Sequence, residues 1–410
     1  MRIGLFTDYF LPHTGGTETS VYHQYRALVN EGHEVFVITP PAKGSQHQTV
    51  KDENLIQIPN RGINFRRHGL DILIYNPKAL DQVKKLNLDV IHTQTEFGIG
   101  ILARKFAWSV DKPMIYTGHT FYPQFLSGKF SDKIASVVPL LMQKAKLGSA
   151  VHLRLKNMSK DFEGIASKTK EEQFVLKYWL NYANLADHII APSKRMQDFM
   201  EYYLPRKHIS FIPNPFEGAK VLPKPVAITD RGGKIKIVWA GRVTAEKRPD
   251  VFIKSLLKLD SQLKNKIRVD VFGEGDMLPT LKNEVHKSNW AQTIHFHGNV
   301  DNLVVQASFK CSDLLVISSH GFDNQPMVIL EALSAGLGIV YCDSGLKEGL
   351  NRHNSELIGP DPADFARILS KLINDRRRVD TMKMSSKSLA DDFSYEKFNS
   401  HYSKILKSLA

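Results

Sequence analysis

Short apolar runs alternate with amphipathic stretches along most of the chain, in a strand-then-helix rhythm. Residues 1–8 (MRIGLFTD) read as a buried strand that ends in a loop rich in proline and glycine, Pro12 to Gly16. From about Thr17, apolar positions recur at helical spacing (Val21, Tyr25, Leu28), and Gly32 lies just past the end. EVFVITP, residues 34–40, is a second apolar run. Strand, helix and strand in this order predict parallel pairing through a right-handed crossover. The rhythm continues with strands over 88–94, 113–119, 186–193 and 209–214 and a helix over 98–110.

Residues 215–233 carry three prolines, several glycines and no period, which predicts an interdomain linker. After it the rhythm restarts. Strands are expected over 234–242, 267–275, 293–298, 313–318 and 338–343, with helices over 250–259, from about Met327 to Ala335 and from about Asp361 to Asn374. The pattern therefore predicts an α/β chain of two doubly wound, Rossmann-like domains, 1–214 and 234–391, facing a cleft. One segment breaks the rhythm. Residues 126–180 interpose a largely helical pattern with ten Lys or Arg against five Asp or Glu. Within it, 133–148 sets an apolar face beside Lys133, Lys144 and Lys146. Such a helix either lies on an anionic membrane or packs its apolar face on its own domain.

Composition narrows the class. A hydrophobic share of 42% and a charged share of 24% are those of a soluble globular protein, which excludes disordered and collagen-like chains. No stretch approaches 18 apolar residues, and the first residues lack the apolar core of a secretory signal, so a cytoplasmic protein is expected. Cys311 and Cys342 are too few for a disulfide framework and sit in apolar runs, so both are expected to be reduced and buried. The net charge of +13 favours anionic partners: phosphates, nucleic acid or acidic lipid.

Four places could carry chemistry. Gly15 and Gly16 follow a strand and open a helix, so bare backbone amides and a positive helix end could face an anion; a plain strand-to-helix turn explains them equally well. GRVTAEK (241–247) places Arg242 and Lys247 in one strand-end loop, where paired cations can grip a diphosphate. In SSHGFDNQPMVILEALSAG (318–336), Asp323 is expected in a solvent-lined loop. Glu331 should sit eight residues on, half-buried in a helix whose N-terminal amides come from Gln325 to Val328. A carboxylate there suits vicinal hydroxyls such as those of a ribose. His119 follows a strand and would point toward the same cleft. The histidines show no metal-ligand spacing, and the chain holds no nucleophile elbow, Walker loop or DxD pattern.

Taken in order, these pieces resemble the retaining glycosyltransferases of family 4, which have the GT-B architecture. The match includes the glycine pair, HTQTEF (92–97), His119, APS (191–193), IPN (212–214), GRxxxxK (241–247), FGEG (272–275), FHGNV (296–300) and the acidic pair Asp323 and Glu331. HTQTEFGIG and TGHTFY (117–122) are most similar to bacterial diacylglycerol glucosyltransferases. The resemblance implies a nucleotide diphosphate sugar as donor, UDP-linked, a lipid or cell-envelope glycan as acceptor, no nucleic-acid partner and no obligate metal or other cofactor. It also implies that Arg242 and Lys247 hold the diphosphate beside Gly15 and Gly16, and that Glu331 holds the ribose. By the same resemblance Val300 lies at the base, Asp323, Gln325, Pro326 and Met327 bracket the sugar, and His119 contacts the sugar near the reacting centre. Residues 392–410 should form a helix that crosses back to the first domain. One departure stands out: the family usually has glutamate where this chain has Asp323, one methylene shorter, which leaves open a silent subunit that only binds donor or glycan.

Overall fold

A computed structural model of the chain describes residues 1–11, 15–41, 52–58, 77–125, 170–226 and 233–409. The chain divides into two compact units, Met1–Pro215 with Tyr395–Ala410, and Phe216–Ser394.

In the first unit the expected strands form at β1 Arg2–Phe6, β2 Glu34–Thr39, β4 Val90–Thr93, β5 Met114–Thr117, β6 His188–Ala191 and β7 His208–Phe211, with a short β3, Leu55–Gln57, at the edge. Helices α1 Gly16–Asn30, α2 Pro77–Lys84, α3 Gly98–Val110, α4 Tyr122–Phe125, α5 Lys170–Asn184 and α6 Lys194–Tyr203 connect them. The sheet order is β3-β2-β1-β4-β5-β6-β7, and every pair is parallel. Alternate side chains of a strand leave the sheet on opposite faces, so a strand buried on both sides must be apolar throughout. Ile3 and Leu5 of β1 join Val21, Tyr25 and Leu28 of α1 on one face. Phe6 joins Ile91, Phe106 and Trp179 on the other. The basic helix expected at 133–148 lies outside the described residues.

The second unit repeats the plan. Strands β8 Ile235–Ala240, β9 Ile267–Phe272, β10 Ile294–Gly298, β11 Leu314–Ile317, β12 Gly338–Tyr341 and β13 Ser355–Leu357 pair in the order β10-β9-β8-β11-β12-β13, all parallel. Between and after them run α7 Pro249–Leu257, α8 Leu278–His286, α9 Asn302–Lys310, α10 Met327–Ala335, α11 Pro362–Asn374 and α12 Arg376–Ala390. The last helix, α13 Tyr395–Leu409, belongs to the first unit, where Tyr395, Phe398, Tyr402, Ile405 and Leu406 bury against the α1 face.

Two expectations need correction. Part of the segment read as a linker is fastened to the second unit: Phe216 is buried in its core and donates its backbone N–H to Phe393 O at 2.8 Å. Cys342 is buried, and burial pushes its thiol up to about 11, but Cys311 is exposed at the end of α9. The apolar run around Cys311 belongs to a helix terminus, whose last residue turns away from the core.

Candidate functional site

In a doubly wound sheet the chain leaves neighbouring strands in opposite directions at one point, and loops that follow those strands leave a crevice at their carboxyl ends. In the second unit this point lies between β8 and β11, and GRVTAEK and the Asp323 loop follow those two strands. Trp239 of β8 donates its indole N–H to Ser318 Oγ at 3.0 Å, and Ser318 Oγ donates to the Lys247 carbonyl at 2.9 Å. The two loops are thereby joined, and Lys247 Nζ reaches Asp323 Oδ1 at 2.5 Å. The other carboxylate oxygen accepts from Ser319 Oγ at 2.5 Å. The Lys247 ammonium also lies 5.1 Å from the Phe322 ring centroid.

Asp323 is therefore buried, not solvent-lined, because its carboxylate is turned inward onto Lys247 and Ser319. Arg242 behaves differently from its expected partner. It stays at the surface and pairs with Glu246 at 3.2 Å, while Lys247 ends the 3₁₀ turn Ala245–Lys247. The FGEG loop explains how GRVTAEK is seated. Gly273 has φ +121°, and a Cβ there would overlap the Gly241 carbonyl oxygen, so only glycine lets the loops approach. Gly273 N donates to Gly298 O at 2.8 Å, which ties the same layer to the FHGNV loop.

Pro326 caps α10 in an extended conformation, so the amides that open this helix have no side-chain cap. Gln325 and Met327 are buried there and Pro326 is half-buried. One turn on, Glu331 is buried more fully than the half-buried position expected of it. Burial raises its carboxyl above the usual range, and Asn302 Nδ2, which donates to Oε1 at 3.2 Å, opposes the rise. Val300 is half-buried against the cluster that contains Met327 and Leu330. Ser319, Phe322 and Asn302 were not found by sequence reasoning. Only Asn302, two residues beyond FHGNV, carried a positional hint.

In the first unit Gly15 and Gly16 open α1, and the space around Gly16 is open, as an approach to backbone amides requires. His119 follows β5 and is half-buried; withdrawal from water lowers its ring to about 4. Beneath it lies a buried polar layer. His119 Nε2 is 2.7 Å from Gln94 Oε1, and Gln94 Nε2 donates to Gln24 Oε1 at 2.9 Å and lies 3.1 Å from His92 Nε2. Glu96, also of HTQTEF, accepts from Tyr122 and Tyr116, and burial pushes its carboxyl up to about 7. Among the described residues no group of three His, Cys, Asp or Glu is placed to hold a metal ion, and no helix is long and apolar enough to cross a membrane.

Two parallel, doubly wound units, with an ion pair and an open helix N-terminus at the switch point of the second, define a GT-B glycosyltransferase. Residues 14–217 match the family described as Glycosyltransferase Family 4 and residues 234–375 match Glycosyl transferases group 1, and the chain belongs to these family 4 glycosyltransferases, enzymes that take sugar from a nucleotide sugar. It is 25% identical over 378 residues to the alpha-monoglucosyldiacylglycerol synthase of Acholeplasma laidlawii, covering 87% of this chain and 86% of that one. With the enzyme of the same name from Streptococcus pneumoniae it shares 24% identity over 358 residues, 83% of this chain and 70% of that one. The fold matches that of HepE from Anabaena, solved in complex with UDP and glucose, at TM-score 0.69 and 16% identity, with both chains covered in full.

Proposed function

We propose that this glycosyltransferase moves a hexosyl unit from a UDP-sugar, with retention of configuration, to a lipid or cell-envelope glycan acceptor at the cytoplasmic face of a membrane. The observation that carries the donor side is the Lys247–Asp323 pair beside the uncapped start of α10. An ammonium and the positive end of a helix without a side-chain cap, at one strand end, offer positive charge to a departing diphosphate, where preorganised charge contributes most. Lys247 and Arg242 are assigned to the diphosphate, with Gly15 and Gly16 as its contact in the first unit. Glu331 is assigned to the ribose, Val300 to the base, Asp323, Gln325, Pro326 and Met327 to the sugar, and His119 to the sugar near the reacting centre. The acceptor hydroxyl then attacks from the face that the diphosphate leaves, and no protein nucleophile takes part. These cations make a divalent metal unnecessary in this reading, so a chelator should leave the rate unchanged.

The acceptor class is supported by the activity for which both synthase relatives are named, and HepE, solved with UDP, supports the nucleotide. A membrane location is supported by the +13 charge and by Trp108 on α3, which is 84% exposed, as aromatic side chains at a lipid interface are.

The test is thermal unfolding with UDP-, GDP- and ADP-hexoses, followed by release of UDP with and without diacylglycerol. A ligand that binds only the folded state raises the midpoint. UDP-hexose alone should do so, and an equal response to all three nucleotides would overturn the assignment. Asp323, in place of the usual glutamate, favours a second reading, a silent donor-binding subunit. It replaces the first if the wild type is inert with every donor and Asp323→Glu is active.

A further inference from the structure

The orientation of the Gln94 amide sets the hydrogen-bond roles of the polar layer under His119. Thr117 Oγ1 is 2.7 Å from His92 Nε2, and His92 Nδ1 is 3.1 Å from the Tyr402 hydroxyl on α13. With the Gln94 amide nitrogen 3.1 Å away, His92 Nε2 accepts, from that amide and from the Thr117 hydroxyl, and Nδ1 carries the ring proton toward Tyr402. The second amide hydrogen of Gln94 goes to Gln24 Oε1, Gln24 Nε2 donates to Ser20 Oγ at 3.2 Å, and Ser20 Oγ donates to Asn214 Oδ1 at 2.6 Å. With both amide hydrogens used, Gln94 presents only its carbonyl oxygen to His119. An amide oxygen can only accept, so His119 must carry its proton on Nε2 and keep a lone pair on Nδ1.

We propose that Gln94 is a positioning residue that holds His119 as the Nε2–H tautomer, so that Nδ1 accepts a hydrogen bond from a hydroxyl of the donor sugar. Gln94, His92 and Gln24 are all buried, which makes a rearranged network costly because each lost bond strands a polar group away from water. Burial also keeps His119 neutral through physiological pH, and its titratable neighbour in the layer, His92, is lowered to about 3 and stays neutral as well. A neutral nitrogen lone pair attracts a hydroxyl and repels a carboxylate. The donor class that follows is a neutral hexose, with hexuronic acids rejected at this contact. The sugar contact rests on the function proposed above; the tautomer does not.

The experiment separates the two. In full-length protein labelled with ¹⁵N-histidine, the His119 signal, assigned by its loss in His119→Asn, should show an Nε2–H neutral ring with no titration from pH 5.5 to 8.5. A ring that titrates near 6.5, or that carries its proton on Nδ1, overturns the proposal. In Gln94→Leu the single tautomer should be lost and kcat/KM for UDP-hexose should fall about tenfold or more, with a lowered thermal midpoint because His92 and Gln24 lose a buried partner. The preference for UDP-hexose over UDP-hexuronic acid should narrow in the same variant. If Gln94→Leu does not fold, the wild-type spectrum and the wild-type ratio of the two donors decide the matter, and equal use of both donors counts against it. A His119→Asn enzyme as fast as the wild type would instead overturn the sugar contact, whatever tautomer the spectrum shows.

Discussion

At the scale of single residues, the site is governed by what each charge is paired with. Lys247 and Asp323 are both largely withdrawn from water and neutralise one another, and in the proposed reading a diphosphate would compete for the ammonium. Arg242 is exposed and, among the described residues, salt-bridged to Glu246, an arrangement worth little to stability and easily exchanged for a ligand. Lys247→Ala should therefore lower turnover about 10²- to 10³-fold, by analogy with the loss of one preorganised donor. Its thermal midpoint should fall by only a few degrees, because Ser319 still donates to the stranded Asp323 carboxylate. Steady-state rates and a melting curve on one preparation check both parts, and an unchanged rate would remove Lys247 from the diphosphate site. Asp323→Glu should keep the fold only if the extra methylene can be housed between Lys247 and Ser319. Its melting midpoint should drop measurably, since the site is buried.

At the scale of elements, strand ends are held together by glycines and by one returning helix. Gly273 lies against the Gly241 carbonyl with φ +121°, a conformation that an L side chain rarely adopts. Gly273→Ala should push the 241–247 loop outward, cost about 1–3 kcal/mol and weaken UDP-sugar binding together with stability. Calorimetric unfolding and titration with UDP would show both losses; a loss of stability alone would mean that the loop had not moved. Helix α13 plays the corresponding part in the first unit. Its Tyr395 hydroxyl lies 2.6 Å from His23 Nδ1 and its Tyr402 hydroxyl 3.1 Å from His92 Nδ1, so the last helix both seals the α1 face and completes the layer beneath His119.

At the scale of the whole molecule, the buried titratable groups of the first unit predict how the protein responds to acid. His23 and His92 are lowered to about 3, and His119 and His188 to about 4; burial is the leading cause in each. Their unfolded counterparts ionise near 6.5, so between about pH 6.5 and 4 the unfolded chain binds more protons and stability falls as pH falls. Glu96 acts in the opposite sense. Its native carboxyl, raised to about 7 from 4.5, binds the proton that the unfolded chain releases across that window, so its contribution grows as pH falls. Four histidines outweigh one glutamate, each proton contributing about 1.4 kcal/mol per pH unit at most. The urea midpoint of the first unit should therefore be clearly lower at pH 5 than at pH 7. An equal or higher midpoint at pH 5 would mean that these rings are reached by water and titrate normally.

Most strands and several helices of both units were legible in the sequence, because a strand buried on two faces must be apolar throughout and its flanking helices must repeat every three to four residues; α8, α9 and α12 were not among them. β1, β4, β8 and β11, α3 over 98–110 and α10 over 327–335 were legible for that reason. The edge strands β3 and β13 were not, since Leu55–Gln57 and Ser355–Leu357 are three residues long and only partly apolar. Candidate chemistry was legible as residue type at a strand end: Lys247, Asp323, Glu331 and His119 could be named from position alone. Their partners could not. Lys247 meets Asp323, Glu331 meets Asn302 and His119 meets Gln94 across 76, 29 and 25 residues of chain. Those pairings, and with them the burial of Asp323, depend on which loops the sheet order brings side by side, which the periodicity of a chain does not carry.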